Sequence, residues 1–324
     1  MMEIRKLGKT DLEVSALCMG TMQFGWTADE ATSFQVLSTS YDAGINFLDT
    51  ADVYSRWVEG NPGGVSEQII GKWIRKNAIP RDKLVIATKV RGQMSDDPAD
   101  QGLSRRHILK SVEQSLKRLG TDYIDLYQSH YPDDDTPIEE TLQAYSELIE
   151  QGKVRYIGCS NYSADKLIKS LQAAEQLGVP RYDTLQPHYN LVHRTEFEDQ
   201  LAEICQEYQI GVIPYSPLAA GFLTGKYRKE SPIPPDSRGR TNRRIQGYFT
   251  EKNWKLLDEM ERIGVEKGGY SISQVALAWQ LSNPMITSPI IGPKNIAQME
   301  DNLGAAYLHL ELDEMAFLNE ISAG

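Results

Sequence analysis

Cysteine is scarce, with three in 324 residues. Cys18, Cys159 and Cys205 are an odd number, widely spaced, with no CxxC among them. That argues against a disulfide framework or a zinc pattern and leaves small buried thiols. Long apolar runs are missing too. Nothing approaches the ~18 uncharged residues of a membrane-spanning helix, and the opening MMEIRKLGKTDLEVS has no apolar signal core. Bases are outnumbered, 34 against 45 acids, giving a net charge of -11. Such a surface disfavours nucleic acid and anionic lipid. The expectation is a cytoplasmic protein with no nucleic-acid or membrane partner. A Gly-rich phosphate loop is absent as well: GTMQFG, residues 20 to 25, is not GxGxxG. A doubly wound sheet, which normally carries that loop after its first strand, is therefore the second choice of fold.

What the chain does have is eight short apolar runs: EVSALCMG, GINFLDT, KLVIATKV, YIDLYQSH, VRYIGCSN, YDTLQPHYN, IGVIPYSP and ITSPIIGPK. Helical patterns separate most of them. In SRRHILKSVEQSLKRLG the apolar residues Ile108, Leu109, Val112, Leu116 and Leu119 fall at helical spacing, with Ser104 as N-cap and Gly120 as stop. The segments from Thr136 to Gly152 and from Ser163 to Gly178 repeat the form. Alternation of this kind across residues 1–324 predicts a single α/β domain, a (β/α)8 TIM barrel. Residues 3 to 14 read as a β-hairpin ahead of the barrel. Long loops at the C-terminal face are expected after the second strand and between the seventh and eighth. The tail LELDEMAFLNEIS reads as a helix outside the repeat.

The working face of such a barrel lies at the carboxyl ends of its strands. The first polar residues after each run are Gly20-Thr21, Asp49, Lys89, His130, Ser160-Asn161, Gln186, Tyr215-Ser216 and Gly292-Pro293-Lys294. Lys89 is the odd one, because an ammonium is costly to desolvate without a partner. Asp49, one strand away, is the expected partner. Tyr54 lies beyond Asp49 on a loop that can return over the rim. A nearby ammonium is expected to lower its phenol pKa and suit it to protonate a substrate oxygen. His130 would orient that oxygen. The set polarises a carbonyl and is not a plausible metal-ligand set. Alternatively, Lys89 could be a Schiff-base lysine. With no Cys or Ser–His nucleophile at the rim, a nicotinamide hydride is the economical partner. Ser160, Asn161 and Gln186 could hold its carboxamide, Tyr215 could stack on its ring, and the small-residue stretch from 215 to Lys226 could admit a pyrophosphate.

At this point the sequence resembles the aldo-keto reductases. The resemblance runs through KLGKTDLEVSALCMGTMQFG, FLDTADVY, ATKV, YIDLYQSHYPD, GKVRYIGCSNYS, LQPHYN, PYSPLAAGFLTGKY and IIGPKNIAQMEDN. It is greatest with the bacterial branch that also resembles potassium-channel β-subunits. The resemblance implies a catalytic tetrad of Asp49, Tyr54, Lys89 and His130, and NADPH (NADP) bound across the barrel mouth. It implies Gly20, Thr21, Asp49, Ser160, Asn161, Gln186 and Tyr215 near the nicotinamide, and Ser216, Leu218 and Lys226 at the pyrophosphate. Arg238 would belong to a loop folding over the cofactor. Gly292, Lys294, Gln298, Asp301 and Asn302 would meet the adenosine end, with Lys294 at the 2′-phosphate. The implied activity is reduction of small aldehydes and ketones. The alternative is a nicotinamide-binding regulatory or redox-sensing subunit with slow turnover.

Ser55 stands where many relatives have Gly, and SRWVEGNPGG is longer than the usual loop. Gln298 and Asp301 replace Arg and Glu of some branches. Trp26, Trp57, Tyr131, Tyr189, Phe222 and Tyr248 are candidates for an aromatic substrate pocket, and RGRTNRR, residues 238 to 244, for a lid that screens an anionic cofactor.

Overall fold

The computed structural model describes residues 2–235 and 237–323. The chain opens with the expected hairpin, β1 (Ile4–Lys6) against β2 (Glu13–Ser15), antiparallel. Eight parallel strands follow: β3 (Cys18–Gly20), β4 (Phe47–Asp49), β5 (Val85–Val90), β6 (Ile124–Ser129), β7 (Val154–Ser160), β8 (Thr184–Gln186), β9 (Gly211–Val212) and β10 (Ile290–Ile291). They pair in the order β10-β3-β4-β5-β6-β7-β8-β9. The two ends of that order are joined by Ile290 N donating to Pro214 O at 2.9 Å and Thr287 N to Val212 O at 2.8 Å. The sheet is a (β/α)8 barrel.

Helices alternate with the strands outside it: α1 (Glu30–Asp42), α2 (Val65–Lys76), α3 (Arg105–Leu119), α4 (Ile138–Glu150), α5 (Ala164–Leu177) and α6 (Ala202–Tyr208). The caps are those the sequence signals: Ser104 accepts from His107 N and Ser163 from Lys166 N, and Gly120 and Gly178 end their helices in the left-handed region. Between β9 and β10 lie α7 (Arg243–Gln246), α8 (Glu251–Glu266) and α9 (Ile272–Leu281). After β10 come α10 (Ile296–Gly304) and the tail helix α11 (Leu312–Ser322). Arg194 and Trp279 tie α11 down through Asn319. Among the described residues no helix is long and apolar enough to cross a membrane. The three cysteines are free and buried.

Each barrel strand is shorter than its apolar run, and in two the reason is local. EVSALCMG is not one strand: the chain turns at Ala16-Leu17, so Glu13–Ser15 stays with the hairpin and only Cys18–Gly20 enters the barrel. In ITSPIIGPK, Pro289 has no N–H to give, and only Ile290–Ile291 forms a ladder.

The barrel interior explains where the polar residues end up. Its lower part is an apolar cluster of Phe47, Val85, Ala87, Leu126, Ile213 and Ile290, closed from below by Leu7, Leu12 and Val14 of the hairpin. Side chains two apart on a strand share a face. Two residues above Phe47 stands Asp49; above Ala87, Lys89; above Leu126, Gln128; above Ile213, Tyr215. The same alternation that fills the floor delivers a polar layer at the top.

Beside the hairpin, Asp183 makes no side-chain hydrogen bond among the described residues, and burial pushes it up to about 6 against the pull of Arg181 and Lys9. Its folded pKa exceeds its unfolded 3.8, so stability falls as pH rises through that interval and the full penalty persists at pH 7. Asp183→Asn is therefore expected to raise stability at pH 7 by on the order of 1–2 kcal/mol, a gain that vanishes near pH 4. Paired thermal melts at the two pH values check this, and an equal shift at both would refute it.

Candidate active site

Lys89 is wholly buried at the top of β5. Its ammonium donates to Asp49 Oδ1 at 2.6 Å, to Thr50 O at 2.8 Å and to the Tyr54 hydroxyl at 3.0 Å. The second oxygen of Asp49 accepts from Gln186 Nε2 at 2.9 Å and Gln128 Nε2 at 3.3 Å. The layer draws on the ends of four strands: Asp49, Thr50 and Tyr54 at and beyond β4, Lys89 on β5, Gln128 on β6 and Gln186 on β8. Burial alone would pull the Lys89 ammonium down, but Asp49 and Tyr54 outweigh it and its pKa is raised.

Tyr54 reaches Lys89 because the loop from Thr50 to Gly64 is folded into successive turns, with Tyr54 N bonded to Ala51 O, Arg56 N to Val53 O and Val58 N to Ser55 O. Ser55 adopts φ 70°, the left-handed conformation that suits the Gly of other sequences. Its hydroxyl offsets some strain by donating to Phe24 O at 2.5 Å. The phenol pKa differs from the sequence expectation. Burial pushes Tyr54 up to about 12, with Lys89 pulling the other way and Asp49 adding to the rise. Desolvation of a phenolate at this depth exceeds the stabilisation that the ammonium offers.

His130 follows β6, its ring centroid 5.8 Å from that of Tyr54. Burial, then the charges of Lys89 and Arg91, push the imidazole down to about 3, so it is neutral at pH 7. Arg91, which the sequence reading missed, lies two residues beyond Lys89 with φ 129° and a buried Nε without a partner among the described residues. Gln128 was missed too, although its place two residues before His130, on the inward face of β6, was a usable signal.

The residues expected at a nicotinamide are gathered here, bonded to one another. Ser160 Oγ donates to Gln186 O; Asn161 Nδ2 donates to His130 O and Ser160 Oγ; Tyr215 OH donates to Asn161 Oδ1. Thr21 is buried, donating to Asp49 O and accepting from Ser66 Oγ. Gly20 is required by packing, since a Cβ would meet Ile290 Cγ2 at 2.5 Å. Tyr215 stacks on His188 at 5.2 Å, and Arg244 of α7 donates to His188 Nδ1 at 2.7 Å.

Farther along the mouth, Ser216, Ala219, Ala220 and Gly221 have positive φ. Left-handed backbone costs an L residue roughly 1–2 kcal/mol; the turn is held by Ala219 N donating to Ser216 O at 2.9 Å and Gly221 N to Leu218 O at 2.8 Å. A side chain at Gly221 would meet the Lys226 ammonium at 2.6 Å. Leu218 begins this turn. Lys226 is pulled down by burial and by the charges of Arg238 and Lys294. Among the described residues, none of these three cations has a carboxylate partner. Gly292 faces open space. Gln298 accepts from Lys294 N, and Asn302 is buried. Asp301 Oδ1 accepts from Ser271 Oγ at the start of α9.

Three of the six aromatic candidates are at the mouth: Trp26 is 41% exposed, Trp57 49% and Tyr131 48%. Tyr189 and Phe222 are not. Tyr189 packs between Phe197 and Trp279, and Phe222 among Tyr248, Phe249 and Trp254, as core contacts.

The family whose pattern matches the chain, over residues 16–323, is the aldo/keto reductase family. The uncharacterized oxidoreductase YrpG of Bacillus subtilis is 39% identical, covering 100% of this chain and 97% of its own length. A probable voltage-gated potassium channel subunit beta of Arabidopsis thaliana is 36% identical, over 94% and 91% respectively. The L-glyceraldehyde 3-phosphate reductase of Escherichia coli K12 is 35% identical, over 94% and 87%.

Proposed function

The chain belongs to the aldo/keto reductase family, and on that premise we propose that it is an NADPH-dependent reductase of small aldehydes and ketones. The observation that carries the reading is the Lys89 ammonium, buried and shared between Asp49 and the Tyr54 hydroxyl, beside a neutral His130.

Tyr54 is the general acid. With its pKa raised, the phenol holds its proton at pH 7 until a carbonyl oxygen gaining negative charge can take it. Lys89 stabilises the phenolate that remains, and Asp49 holds the ammonium charged and in place before the proton leaves. Neutral His130 offers an N–H to the same oxygen and orients it. A reduced nicotinamide, when bound, supplies the hydride. The donor set fits such a ligand: Lys226, Arg238 and Lys294, without a carboxylate partner among the described residues, suit its phosphates. A Schiff-base role for Lys89 is disfavoured, because its amine is held protonated by two partners.

An aldehyde and ketone panel run in parallel with NADPH and NADH tests the reading; no turnover with either cofactor would overturn it. Lys294→Ala is expected to weaken NADPH affinity about tenfold, or about 1.4 kcal/mol, by loss of one phosphate contact, with NADH affinity nearly unchanged. Equal losses for both cofactors would exclude a 2′-phosphate role.

The 36% identity to a protein named as a channel β subunit favours a second reading, a cofactor-binding regulatory subunit. A single slow burst with retained cofactor supports it, and rapid steady-state reduction of simple aldehydes supports the enzyme.

A further inference from the structure

Arg238 stands at a junction between two features of the barrel mouth. On one side are Lys226 and Lys294, cations suited to phosphate and without a carboxylate partner among the described residues. On the other is the aromatic mouth above Tyr54. Arg238 lies over the Trp26 ring at 5.1 Å and donates to Gln23 Oε1 at 3.0 Å. Trp26 meets Trp57 edge-to-face at 5.5 Å, and Trp57 meets Tyr54 at 6.2 Å. One chain of contacts thus runs from the cation cluster to the proposed acid.

The base of Arg238 is fixed. The turn Arg238–Arg240 is anchored where Gly239 N donates to the Tyr227 hydroxyl at 2.9 Å, and Lys226 lies over that same ring. A Cβ at residue 239 would meet Tyr227 Cε1 at 2.6 Å, so the close approach needs glycine. Trp26, by contrast, is 41% exposed and has no hydrogen bond from its indole nitrogen among the described residues. Its place depends on stacking. A guanidinium stacks through its face and donates through its edge, so Arg238 can hold a phosphate and Trp26 together.

We propose that Arg238 is a positioning residue that couples cofactor phosphate to the substrate wall: phosphate at its edge immobilises the guanidinium, which fixes Trp26 against Trp57. The fixed pair makes an apolar corner of one ring face and one ring edge beside Tyr54, and selects carbonyl compounds carrying a planar aromatic ring. This rests on the reductase reading, and goes beyond it in naming the link and the preferred substrate class.

The test has two arms. With NADPH saturating, Arg238→Ala is expected to raise the ratio of the KM for benzaldehyde to the KM for propanal about fivefold, since only the ringed substrate uses the wall and any change in cofactor binding acts on both aldehydes alike. Trp26→Ala should act alike, and the double variant should be no worse than either single variant. The second arm needs no turnover. Acrylamide quenching of Trp26, taken as the difference between wild type and Trp26→Phe, is expected to fall about twofold when NADP⁺ binds the wild type, and to be unresponsive in Arg238→Ala with NADP⁺ saturating, because the stacking partner is gone. Equal protection of Trp26 in both proteins, or single-variant effects that multiply in the double variant, would overturn the coupling. If neither aldehyde is reduced while the quenching difference holds, the coupling stands and the reductase reading fails.

Discussion

Tyr54→Phe is expected to lower kcat for aldehyde reduction by about 10³-fold, within the range for loss of a positioned acid, while cofactor affinity is unchanged. The substitution deletes one oxygen and keeps the ring. The edge-on contacts with Trp57 and His130 survive, and Lys89 retains Asp49 and Thr50 as acceptors. Stability should change by only about 1 kcal/mol, the worth of one hydrogen bond. Steady-state kinetics paired with calorimetric titration of NADP⁺ separates the two effects. Near-native turnover would remove Tyr54 from the mechanism. Loss of cofactor binding along with rate would make it a structural residue of the mouth.

The second large effect concerns Lys89. Lys89→Met leaves Asp49 buried and without its cation, and breaking a buried pair from one side costs about 3–5 kcal/mol. Activity is expected to fall by a further 10²-fold or more, since nothing then supports the phenolate. Replacing both partners is gentler. Lys89→Met with Asp49→Asn removes both charges, and the Asn oxygen can still accept from Gln128 and Gln186. The double variant is expected to recover most of the lost stability and none of the activity. Urea unfolding of the set, read beside kcat, gives the cycle. A single variant as stable as wild type would mean the pair is not electrostatically coupled, and an active double variant would sink the proposed role.

Much of this was legible in the sequence. Strand after helix, with caps such as Ser104 and Gly120, announced the barrel, and the oddity of a lysine ending VIATKV pointed to Asp49. What stayed hidden was three-dimensional crowding. No spacing rule says that Gln128 and Gln186 converge on Asp49, because their contact crosses the barrel rather than running along a strand. The direction of the Tyr54 shift was misjudged because nearness to a cation was visible in sequence order and depth of burial was not. Tyr189 and Phe222 look like pocket aromatics from their motifs; only packing against Trp279 and Trp254 reveals them as core.

The hairpin at the barrel floor has a consequence for proton traffic. With Leu7, Leu12 and Val14 stoppering the lower end, the barrel is a blind well. A phenol that has given up its proton must be recharged from above, through the opening that substrate and product also use. Solvent isotope exchange into the acid should therefore slow when that opening is filled.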